Sequence, residues 1–331
     1  MRAIFQTRLI LIIALLALFV AMPLLSACGS EAPAPAPVPA PAPAPTAPAA
    51  EKAEFDVVKA AVAGYLAEKA TNVKAADLNM KIADGNSPYI VSIRSADDYA
   101  AGHIPGAVNL KFGELSKIPM DEEVLVYCYT GQSASFAVAT LGVLGYDVSN
   151  LLHGMASWSD NPDVFKKRFD AEKSQGSFKT ETTPPAGESY ALPVLDNTAS
   201  SDDAEIVKAA ALTVAPKYIS AADLNLKITE GEEMTILSVR AADHYAAGHV
   251  PGAINIGMGS LMDNLNKLNP DAPVYVYCYT GHSAAQTAAL LQVLGYDASS
   301  MLFGMCGWTA DSSVNMNKCF TPEMSQGLDT E

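Results

Sequence analysis

The sequence predicts two tandem α/β domains, each with a small parallel sheet flanked by helices on both faces. Three observations predict this fold class. The 331 residues are enough for two domains of ordinary size, and half of them are hydrophobic. Several sequence motifs occur twice, in the same order along the chain. Within each copy short apolar strands alternate with helical stretches, which is typical of a parallel sheet with helical crossovers.

The repeated motifs indicate duplication of a whole domain. The offset between copies is 146 residues for the early motifs and 150 for the later ones, so four residues were added between Ala253 and Cys278. A period of this length excludes a short solenoid unit. The repeated motifs are Ala-Ala-Asp-Leu-Asn (75–79 and 221–225), Tyr-Ala-Ala-Gly-His (99–103 and 245–249), Pro-Gly-Ala (105–107 and 251–253), Val-Tyr-Cys-Tyr-Thr-Gly (126–131 and 276–281) and Leu-Gly-Tyr-Asp (144–147 and 294–297).

The first copy supplies the expected elements in order. Ser95 and Asp98 have the spacing of a capping box, so they predict a short helix that ends near Gly102. Alanine, valine and leucine dominate a second helix, Ser133–Leu144, and Gly145 is expected to end it in the left-handed conformation. The predicted strands are apolar and short: Tyr89–Ile93, Val108–Leu110, Val124–Cys128 and Val148–Leu152.

The N-terminal residues predict export. Arg2 and Arg8 precede an apolar run from Leu9 to Leu25, which is the pattern of a signal peptide over residues 1–27. The following Leu-Ser-Ala-Cys resembles a bacterial lipobox, in which Cys28 becomes the acylated first residue of the mature protein. A plain transmembrane anchor is the alternative. We therefore expect a membrane-anchored lipoprotein on the periplasmic or outer face, at the outer membrane if the cell is Gram-negative.

Composition sets the remaining boundaries. Residues 28–50 are mostly Pro and Ala, which favours an extended stalk. Pro184, Pro185 and a polar stretch mark a linker at residues 181–203, so the predicted domains are 51–180 and 204–331. The formal charge of −15 excludes a nucleic-acid partner and attraction to anionic headgroups, leaving the lipid anchor as the expected membrane contact.

Each copy has one cysteine at the place where ligands bind in such folds, beyond the carboxyl end of a strand. Cys128 and Cys278 end strands, a glycine follows in the turn, and a helix begins directly afterwards. A tight loop that leads into a helix N-terminus directs several backbone N–H groups into one concavity. A cysteine at its base is expected to favour the thiolate, which is the nucleophilic form.

The two loops resemble those of the rhodanese-like (thiosulfate sulfurtransferase) family. Cys-Tyr-Thr-Gly-Gln-Ser and Cys-Tyr-Thr-Gly-His-Ser are similar to its six-residue active loop, and Gly-His-Ile-Pro-Gly-Ala (102–107) and Gly-His-Val-Pro-Gly-Ala (248–253) to its other signature. The resemblance implies catalytic Cys128 and Cys278, with no metal or organic cofactor. The implied substrate-binding loops are Tyr129, Thr130, Gly131, Gln132 and Ser133, and Tyr279, Thr280, Gly281, His282 and Ser283.

The family reaction moves sulfane sulfur from a small anionic donor to a thiol or cyanide-like acceptor, or to a protein acceptor, through an enzyme persulfide. Two departures concern the donor. Serine stands at the last loop position, where the family often has arginine. The usual Asp-x-Arg of the strand before the first helix is Ser92-Ile93-Arg94 in one copy and Ser238-Val239-Arg240 in the other. A non-catalytic or redox-sensing binding module tethered at the cell surface is therefore the alternative function. A phosphatase relative is disfavoured, because such loops are longer and end in arginine.

Several other residues have two interpretations. His103 and His249 are expected to be structural rather than catalytic, and Arg94 and Arg240 to be buried structural residues. His282 either biases Cys278 toward thiolate or is an exposed loop histidine. Ser133 and Ser283 are expected to cap helices as well as to line the loops, and Trp158 and Trp308 to close the cores.

Cys306 and Cys319 occur in the second copy alone. Export permits a disulfide. The two residues either form a structural disulfide, or Cys306 resolves an oxidised Cys278, or both remain free thiols.

Overall fold

The computed structural model describes residues 53–68 and 72–331, and all of these belong to one compact unit, Ala49–Glu331. The predicted signal peptide, the stalk and Cys28 lie outside the described residues. Within the described part of the chain, no helix has both the length and the apolar character that a membrane span requires.

The first copy contains five strands and seven α-helices among the described residues, with a 3₁₀ helix at Phe112–Lys117. The strands are β1 Asn72–Val73, β2 Tyr89–Ser92, β3 Val108–Asn109, β4 Val124–Tyr127 and β5 Val148–Leu151. The helices are α1 Glu54–Glu68, α2 Ala75–Ala83, α3 Ala96–Ala100, α4 Gln132–Val143, α5 Met155–Trp158, α6 Pro162–Phe165 and α7 Ala171–Ser174.

The second copy repeats this order. Its strands are β6 Tyr218–Ile219, β7 Thr235–Ser238, β8 Ala253–Asn255, β9 Val274–Tyr277 and β10 Ala298–Met301. Its helices are α8 Asp203–Ala211, α9 Ala221–Glu230, α10 Ala242–Ala247, α11 His282–Val293, α12 Gly304–Trp308 and α13 Ser312–Asn315. The short 3₁₀ helices are Met258–Asp263, Leu265–Lys267 and Pro322–Met324. The four inserted residues fall where the second copy has two consecutive 3₁₀ helices in place of one.

Both sheets are parallel, as the alternation of strands and helices predicted. Their strand orders are β1-β5-β4-β2-β3 and β6-β10-β9-β7-β8. Successive residues of β4 point to opposite faces: Leu125 and Tyr127 pack with α2 and α5, whereas Val124 and Val126 pack with α4. Because both faces are covered, the strands are apolar throughout, and the predicted fold class is confirmed.

The two domains meet through α4 and α11, the helices that follow the cysteine loops. Ten of the twelve residues of α4 are buried, and eleven of the twelve residues of α11. Each helix lies between its own sheet and the other domain, which explains a sequence of small and apolar residues on every side. The helix N-termini, and with them the two loops, are thereby brought together.

The C-terminal segment of each copy crosses to the other copy. In the first tail, residues 174–181, Glu181 pairs with His249 in an antiparallel bridge, and Lys179 O accepts a hydrogen bond from Trp308 Nε1 at 2.9 Å. In the second tail, residues 325–331, Glu331 pairs in the same way with His103, and Asp329 O accepts from Trp158 Nε1 at 2.8 Å. Residues 174–180, which the sequence analysis placed in the first domain (51–180), therefore pack on the second.

Three local predictions need correction or completion. Ser95 caps α3 by accepting from Asp98 N, but its own N–H donates to the Tyr129 hydroxyl, so the reciprocal half of a capping box is absent at this helix. The helix α4 begins at Gln132, and its N-cap is the left-handed Gly131. Ser133 therefore lies inside the helix and does not cap it. The same holds for Gly281 and Ser283.

Candidate active site

Each predicted cysteine lies at the base of a tight loop and accepts a main-chain hydrogen bond. Gly131 N lies 3.2 Å from Cys128 Sγ, and Gly281 N lies 3.1 Å from Cys278 Sγ. Both glycines have a left-handed backbone, with φ of 81° and 91°. This conformation is costly for other residues and turns the N–H inward. The helix N-terminus that follows adds partial positive charge, so the loop favours an anion at the sulfur position.

A second glycine in each domain packs closely against the backbone of the cysteine loop. A Cβ on Gly154 would lie 2.4 Å from Cys128 O and 2.7 Å from Gly131 N, and a Cβ on Gly304 would lie 2.5 Å from Cys278 O. Immediately afterwards, Met155 N and Met305 N donate to the carbonyl oxygens of the two cysteines, at 2.9 and 2.8 Å. These contacts therefore fix the conformation of the two loops, and only glycine at positions 154 and 304 leaves room for the loop backbone.

The loop tyrosines connect each loop to the first short helix of its domain. The Tyr129 hydroxyl donates to Asp98 Oδ2, and this hydrogen bond is the main reason that the pKa of the Asp98 carboxyl lies below its usual range. In the second copy the Tyr279 hydroxyl instead contacts His244 Nδ1. A lysine covers each tyrosine ring: Lys167 Nζ lies 4.7 Å from the ring centre of Tyr129.

In the second copy, Lys318 Nζ lies 3.9 Å from the ring centre of Tyr279. The two lysines do not occupy equivalent positions of the repeat, yet each places a cation beside a cysteine loop. This is local positive charge in a chain whose formal charge is −15.

A model of the rhodanese-like domain family matches residues 74–161 and 220–311, which together make up more than half of the chain. The chain belongs to the rhodanese-like domain family. The thiosulfate sulfurtransferase GlpE of Pseudomonas putida is 35% identical over 86 residues, covering 26% of this chain and 78% of GlpE. A sulfurtransferase of Allochromatium vinosum is 34% identical over 87 residues, covering 25% of this chain and 81% of that protein.

A rhodanese-like domain protein of Staphylococcus aureus has a solved structure that is 32% identical, covers 29% of this chain and 93% of its own, and has a TM-score of 0.28. The chain spans less than half the length of two further curated relatives. These are the HTH-type transcriptional regulator Rv0324 of Mycobacterium tuberculosis (38%) and the protein YrkF of Bacillus subtilis (45%). Each of these relatives thus matches the chain over about the length of one of its two repeated domains.

The cysteine loops of the two rhodanese-like domains contact each other directly. Gln132 reaches across to accept a hydrogen bond from Phe303 N at 3.1 Å, and a Cβ on Gly281 would collide with its amide. The equivalent His282 reaches the other way: its Nε2 lies 3.2 Å from His153 N and 3.0 Å from Thr130 O. In the sequence Gln132 and His282 belong to their own loops; in the structure each lies against the other domain.

Neither interpretation of His282 from the sequence is correct. The side chain is buried rather than exposed, and burial, followed by the neighbouring His153, lowers its pKa to about 3. The imidazole is therefore neutral near pH 7 and supplies no positive charge to Cys278. The Thr280 hydroxyl lies 2.8 Å from Nδ1 and can donate or accept, so it satisfies either neutral tautomer.

Strained backbone marks the contact between the loops. His153 and Phe303 occupy equivalent positions and are both left-handed, with φ of 62° and 60°. Such conformations cost about 1–3 kcal/mol in non-glycine residues and persist where the surroundings impose them. Here they aim the two N–H groups at His282 and Gln132, which explains why the strain is kept in both copies.

The loop serines have different surroundings in the two domains. Ser133 Oγ accepts a hydrogen bond from the Tyr218 hydroxyl at 2.9 Å, and Phe136 packs edge-on against the Tyr218 ring. Burial and the nearby Cys128 both raise the pKa of Tyr218, so this second-domain residue belongs to the first site. Asn72 and Gln286 stand at the equivalent positions beside Ser283.

The loop motifs do not point to Tyr218, because it lies outside them and in the other copy. The repeated tails also lie outside those motifs, but they carry a short motif of their own: Ser-Gln-Gly begins at Ser174 and Ser325, and Thr-Glu ends both segments.

The family's signature histidines lie away from the sulfurs. The rings of His103 and His249 stack on Tyr99 and Tyr245, with ring centres 3.8 Å apart in both copies. Their Nδ1 atoms contact the carbonyl oxygens of the same tyrosines. The structural interpretation of both histidines agrees with these contacts.

Arg94 and Arg240 are buried, as expected. Each donates to main-chain carbonyl oxygens, Arg94 to Val164 O at 2.9 Å and Arg240 to Val314 O at 2.8 Å. The Nε atoms of both arginines are buried without a partner. Trp158 and Trp308 are 1% and 0% exposed, as the prediction of core-closing residues requires.

Cys306 and Cys319 form a disulfide, with Cα atoms 5.4 Å apart. Of the three alternatives that the sequence left open, the structure contains the structural disulfide. Cys128 and Cys278 are then the free thiols among the described residues. Cys306 also lines a small cavity between the two loops, together with Thr130 and Thr280. The disulfide therefore constrains the second domain beside the contact between the two loops.

Both loop cysteines are almost fully buried, at 2% and 3% exposed. In each site the main-chain donor points at the sulfur, but the cysteine is hardly exposed to solvent. A reagent that attacks either sulfur therefore has to enter the loop itself or wait for the loops to separate.

Proposed function

We propose that the chain is an exported sulfurtransferase that carries sulfane sulfur as a persulfide on Cys128 and on Cys278. The observation that supports this proposal best is the N–H group of Gly131 and of Gly281, each directed at a cysteine sulfur at a helix N-terminus. This arrangement stabilises a thiolate before the reaction and a terminal persulfide anion after it. The family membership supports the same reaction class.

The proposed reaction has two steps. The cysteine thiolate attacks the outer sulfur of an anionic donor such as thiosulfate; a sulfur–sulfur bond forms, the donor's own sulfur–sulfur bond breaks, and sulfite leaves with the electron pair. The persulfide then passes its outer sulfur to a thiol or cyanide-like acceptor, or to a protein acceptor, and the cysteine departs as the thiolate. Charge and atoms balance in both steps without a metal or an organic cofactor.

We assign attraction of the donor to Lys167 and Lys318. Each ammonium group lies over the tyrosine that directly follows the catalytic cysteine, at 4.7 and 3.9 Å from the ring centre. The loops end in serine where the family often has arginine, so these lysines would supply the missing positive charge. A cation at the loop entrance raises the local concentration of an anionic donor.

The burial of both sulfurs favours a second candidate function, a redox-sensing or docking module. With each cysteine at most 3% exposed, a slow or absent reaction with donors is compatible with this geometry. For a docking module the loops would act as a closed surface, and replacing both cysteines by serine would leave the biological phenotype unchanged; for a redox sensor the same replacement would abolish the response to oxidants.

Mass spectrometry separates the two functions. Purified protein is incubated with thiosulfate, and the loop peptides are examined in the wild type, Cys128→Ser and Cys278→Ser. We expect each remaining cysteine to gain the mass of one sulfur atom, and cyanide or a small thiol to remove it. If neither peptide gains sulfur from thiosulfate or another common sulfane donor, the transferase proposal is wrong.

We further propose that the protein is a lipoprotein anchored in a membrane through Cys28, on the periplasmic or outer face, at the outer membrane if the cell is Gram-negative. The support is the sequence around Leu25 and Cys28. The mature protein from its native membrane should begin at Cys28 and carry the mass of a diacylglyceryl group there, and Cys28→Ser should lose that mass and remain in the unprocessed form. An unmodified Cys28 in the native protein would contradict the anchor.

A further inference from the structure

The disulfide of the second domain reaches the cysteine loop from both of its ends. At one end, Cys306 N donates to Tyr279 O at 2.9 Å, so it holds the main chain of the residue that directly follows Cys278. At the other end, Lys318 precedes Cys319, and its Nζ lies 3.9 Å from the centre of the Tyr279 ring. The disulfide therefore joins the segment that holds the Tyr279 main chain to the segment that places a cation over its ring.

The backbone that leads to Lys318 is strained. The helix α13 ends at Asn315, and Met316 and Asn317 are both left-handed, with φ of 61° and 52°. Such conformations are unfavourable in residues other than glycine and persist where the surroundings impose them. The covalent bond at Cys319, the residue after Lys318, supplies a restraint of this kind.

The first domain anchors the equivalent segment without a disulfide. Phe169 and Ala156 stand at the positions of the two disulfide cysteines and belong to one apolar cluster. Phe169 is buried, and its ring packs edge-on against Phe303 with ring centres 5.3 Å apart. The cation of this segment, Lys167, is thus held in place by apolar contacts, which a reductant does not open.

One sulfur of the disulfide is open to attack from solution. Cys306 is 1% exposed, whereas Cys319 is half-buried. A thiol therefore reaches Cys319 Sγ first, since access decides which sulfur of a disulfide is attacked. The next residue, Phe320, is buried, and its ring centre lies 5.1 Å from that of His153. The segment thus stays attached beyond the disulfide when the bond opens.

We propose that the disulfide is a positioning element of the second site. It holds Lys318 over Tyr279, so the second site attracts an anionic sulfur donor in the oxidised protein and loses this attraction when a dithiol reduces the bond. The first site keeps its attraction in both states, because Phe169 anchors the segment of Lys167. The inference rests on the proposed sulfurtransfer and on the proposed role of the two lysines, and it adds redox control of donor use at one of the two sites.

The reduction balances. One thiolate of the dithiol attacks Cys319 Sγ, a mixed disulfide forms, and Cys306 leaves as the thiolate with the electron pair. The second thiol of the reductant then loses its proton and closes an internal disulfide, and Cys319 leaves as the thiolate. The dithiol loses two electrons and two protons, and the two protein sulfurs gain them.

Two alkylating reagents of nearly equal size measure the charge beside each sulfur without any sulfur transfer. Iodoacetate is an anion and iodoacetamide is neutral, and both react with Cys278 in the Cys128→Ser protein. Removing the disulfide by Cys306→Ala with Cys319→Ser should lower the ratio of the iodoacetate rate to the iodoacetamide rate about threefold, the size expected of one exposed charge. A general loosening of the loop would raise both rates and leave the ratio as it was.

The first site is the internal control. The ratio for Cys128, measured in the Cys278→Ser protein, should not change when the disulfide is removed. The pair found in the first domain supplies a matched rescue: Cys306→Ala with Cys319→Phe copies its apolar anchor, so it should restore the ratio at Cys278 in a protein that still lacks the disulfide.

A double-mutant comparison shows whether the disulfide acts through the lysine. Lys318→Gln should lower the ratio at Cys278 by the same factor as removal of the disulfide, and both changes together should lower it no further. Lys208→Gln removes a lysine on α8 and is the control for net charge, so it should have no effect. If the two effects add, or if removal of the disulfide leaves the ratio unchanged, the inference is wrong.

Reduction of the native bond completes the test. Treating the Cys128→Ser protein with a dithiol should lower the ratio at the Cys278 peptide to the value of the disulfide-free variant, and that variant should show a KM for thiosulfate raised about threefold at Cys278. A shifted ratio without any sulfur loading would leave the positioning role standing while the transferase proposal fails. Sulfur loading with a ratio and a KM that ignore the disulfide would refute this inference alone.

Discussion

The two rhodanese-like domains share a loop sequence and differ in what surrounds it. In the first domain an aromatic pair, Tyr218 and Phe136, covers the loop serine; in the second, Asn72 and Gln286 line an open cavity. The second domain alone carries a disulfide. Duplication thus preserved the cysteine loop, while the neighbouring residues diverged. Two copies of one loop sequence can therefore have different surroundings.

The two domains are also not independent. Gln132 and His282 each satisfy a main-chain N–H of the other domain, and each tail packs on the partner copy. A change at one loop therefore has a direct structural route to the other. Substitutions at the disulfide, the crossing residues and the surface lysines should therefore separate the two copies.

Removing the disulfide tests the most obvious difference. Cys306→Ala together with Cys319→Ser makes the second domain as unlinked as the first, which has Ala156 opposite Cys306. The bond closes a loop across a sequence separation of 13, so we expect a loss of about 3 kcal/mol in the free energy of unfolding. Urea unfolding followed by tryptophan fluorescence measures this loss. A reducing agent should lower the wild type to the same midpoint and leave the variant unchanged; equal stability of variant and oxidised wild type would contradict a structural role.

Exchanging the crossing residues tests the contact between the loops. His282→Ala leaves the part-buried His153 N without its acceptor, so the free energy of unfolding should fall by about 2 kcal/mol. His282→Gln copies Gln132 and should retain most of that stability, because Gln132 performs the equivalent contact. The comparison of the two variants by urea unfolding decides the point: equal losses would mean that the contact, as opposed to packing, contributes nothing.

The histidine pair makes stability depend on pH. Burial lowers the pKa of His153 from 6.5 to about 4, and burial followed by His153 lowers that of His282 from 6.5 to about 3. Below pH 6.5 the unfolded chain takes up protons that the folded chain refuses, so stability is lost as the pH falls from 6.5 toward 3–4. Unfolding at a series of pH values should show a smaller loss in His282→Gln. An unchanged slope in that variant would show that His282 is protonated in the folded protein.

The smallest expected effect concerns the two lysines. Lys167→Gln and Lys318→Gln should each raise the KM for thiosulfate a few-fold at the neighbouring site, since both ammonium groups are at the protein surface and are screened by salt. Steady-state rates at low and high ionic strength measure this, with each site isolated by the Cys→Ser variant of the other. An effect of the same size with an uncharged sulfur donor would contradict an electrostatic role.

Much of the active loop could be predicted from the sequence because its determinants are local. The glycine that turns the N–H inward, the strand that precedes Cys128 and the helix that follows it lie within a few residues of one another. The alternation of short apolar strands and helices likewise predicted parallel sheets, since a strand buried on both faces has to be apolar along its whole length.

Both interpretations of His282 were wrong because its partners are distant in the sequence. From sequence alone a histidine in a loop has only its neighbours as candidate partners, and Cys278 is the nearest group of interest. Its actual partners, His153 and Thr130, are more than 120 residues away and reach it only because α4 and α11 pack together. The same packing moves the side chain out of water and lowers its pKa.

Motif spacing, strand burial and tight turns are properties of neighbouring residues, so the amino-acid sequence was enough to predict the duplication, the fold class and the two cysteine loops. Which residues lie beside those loops depends on the packing of the two domains: the crossing of Gln132 and His282, the tails exchanged between copies, and the cavity that Tyr65 lines. These contacts join residues far apart in the chain, and their energies come from burial and hydrogen bonds that exist once the two domains are packed.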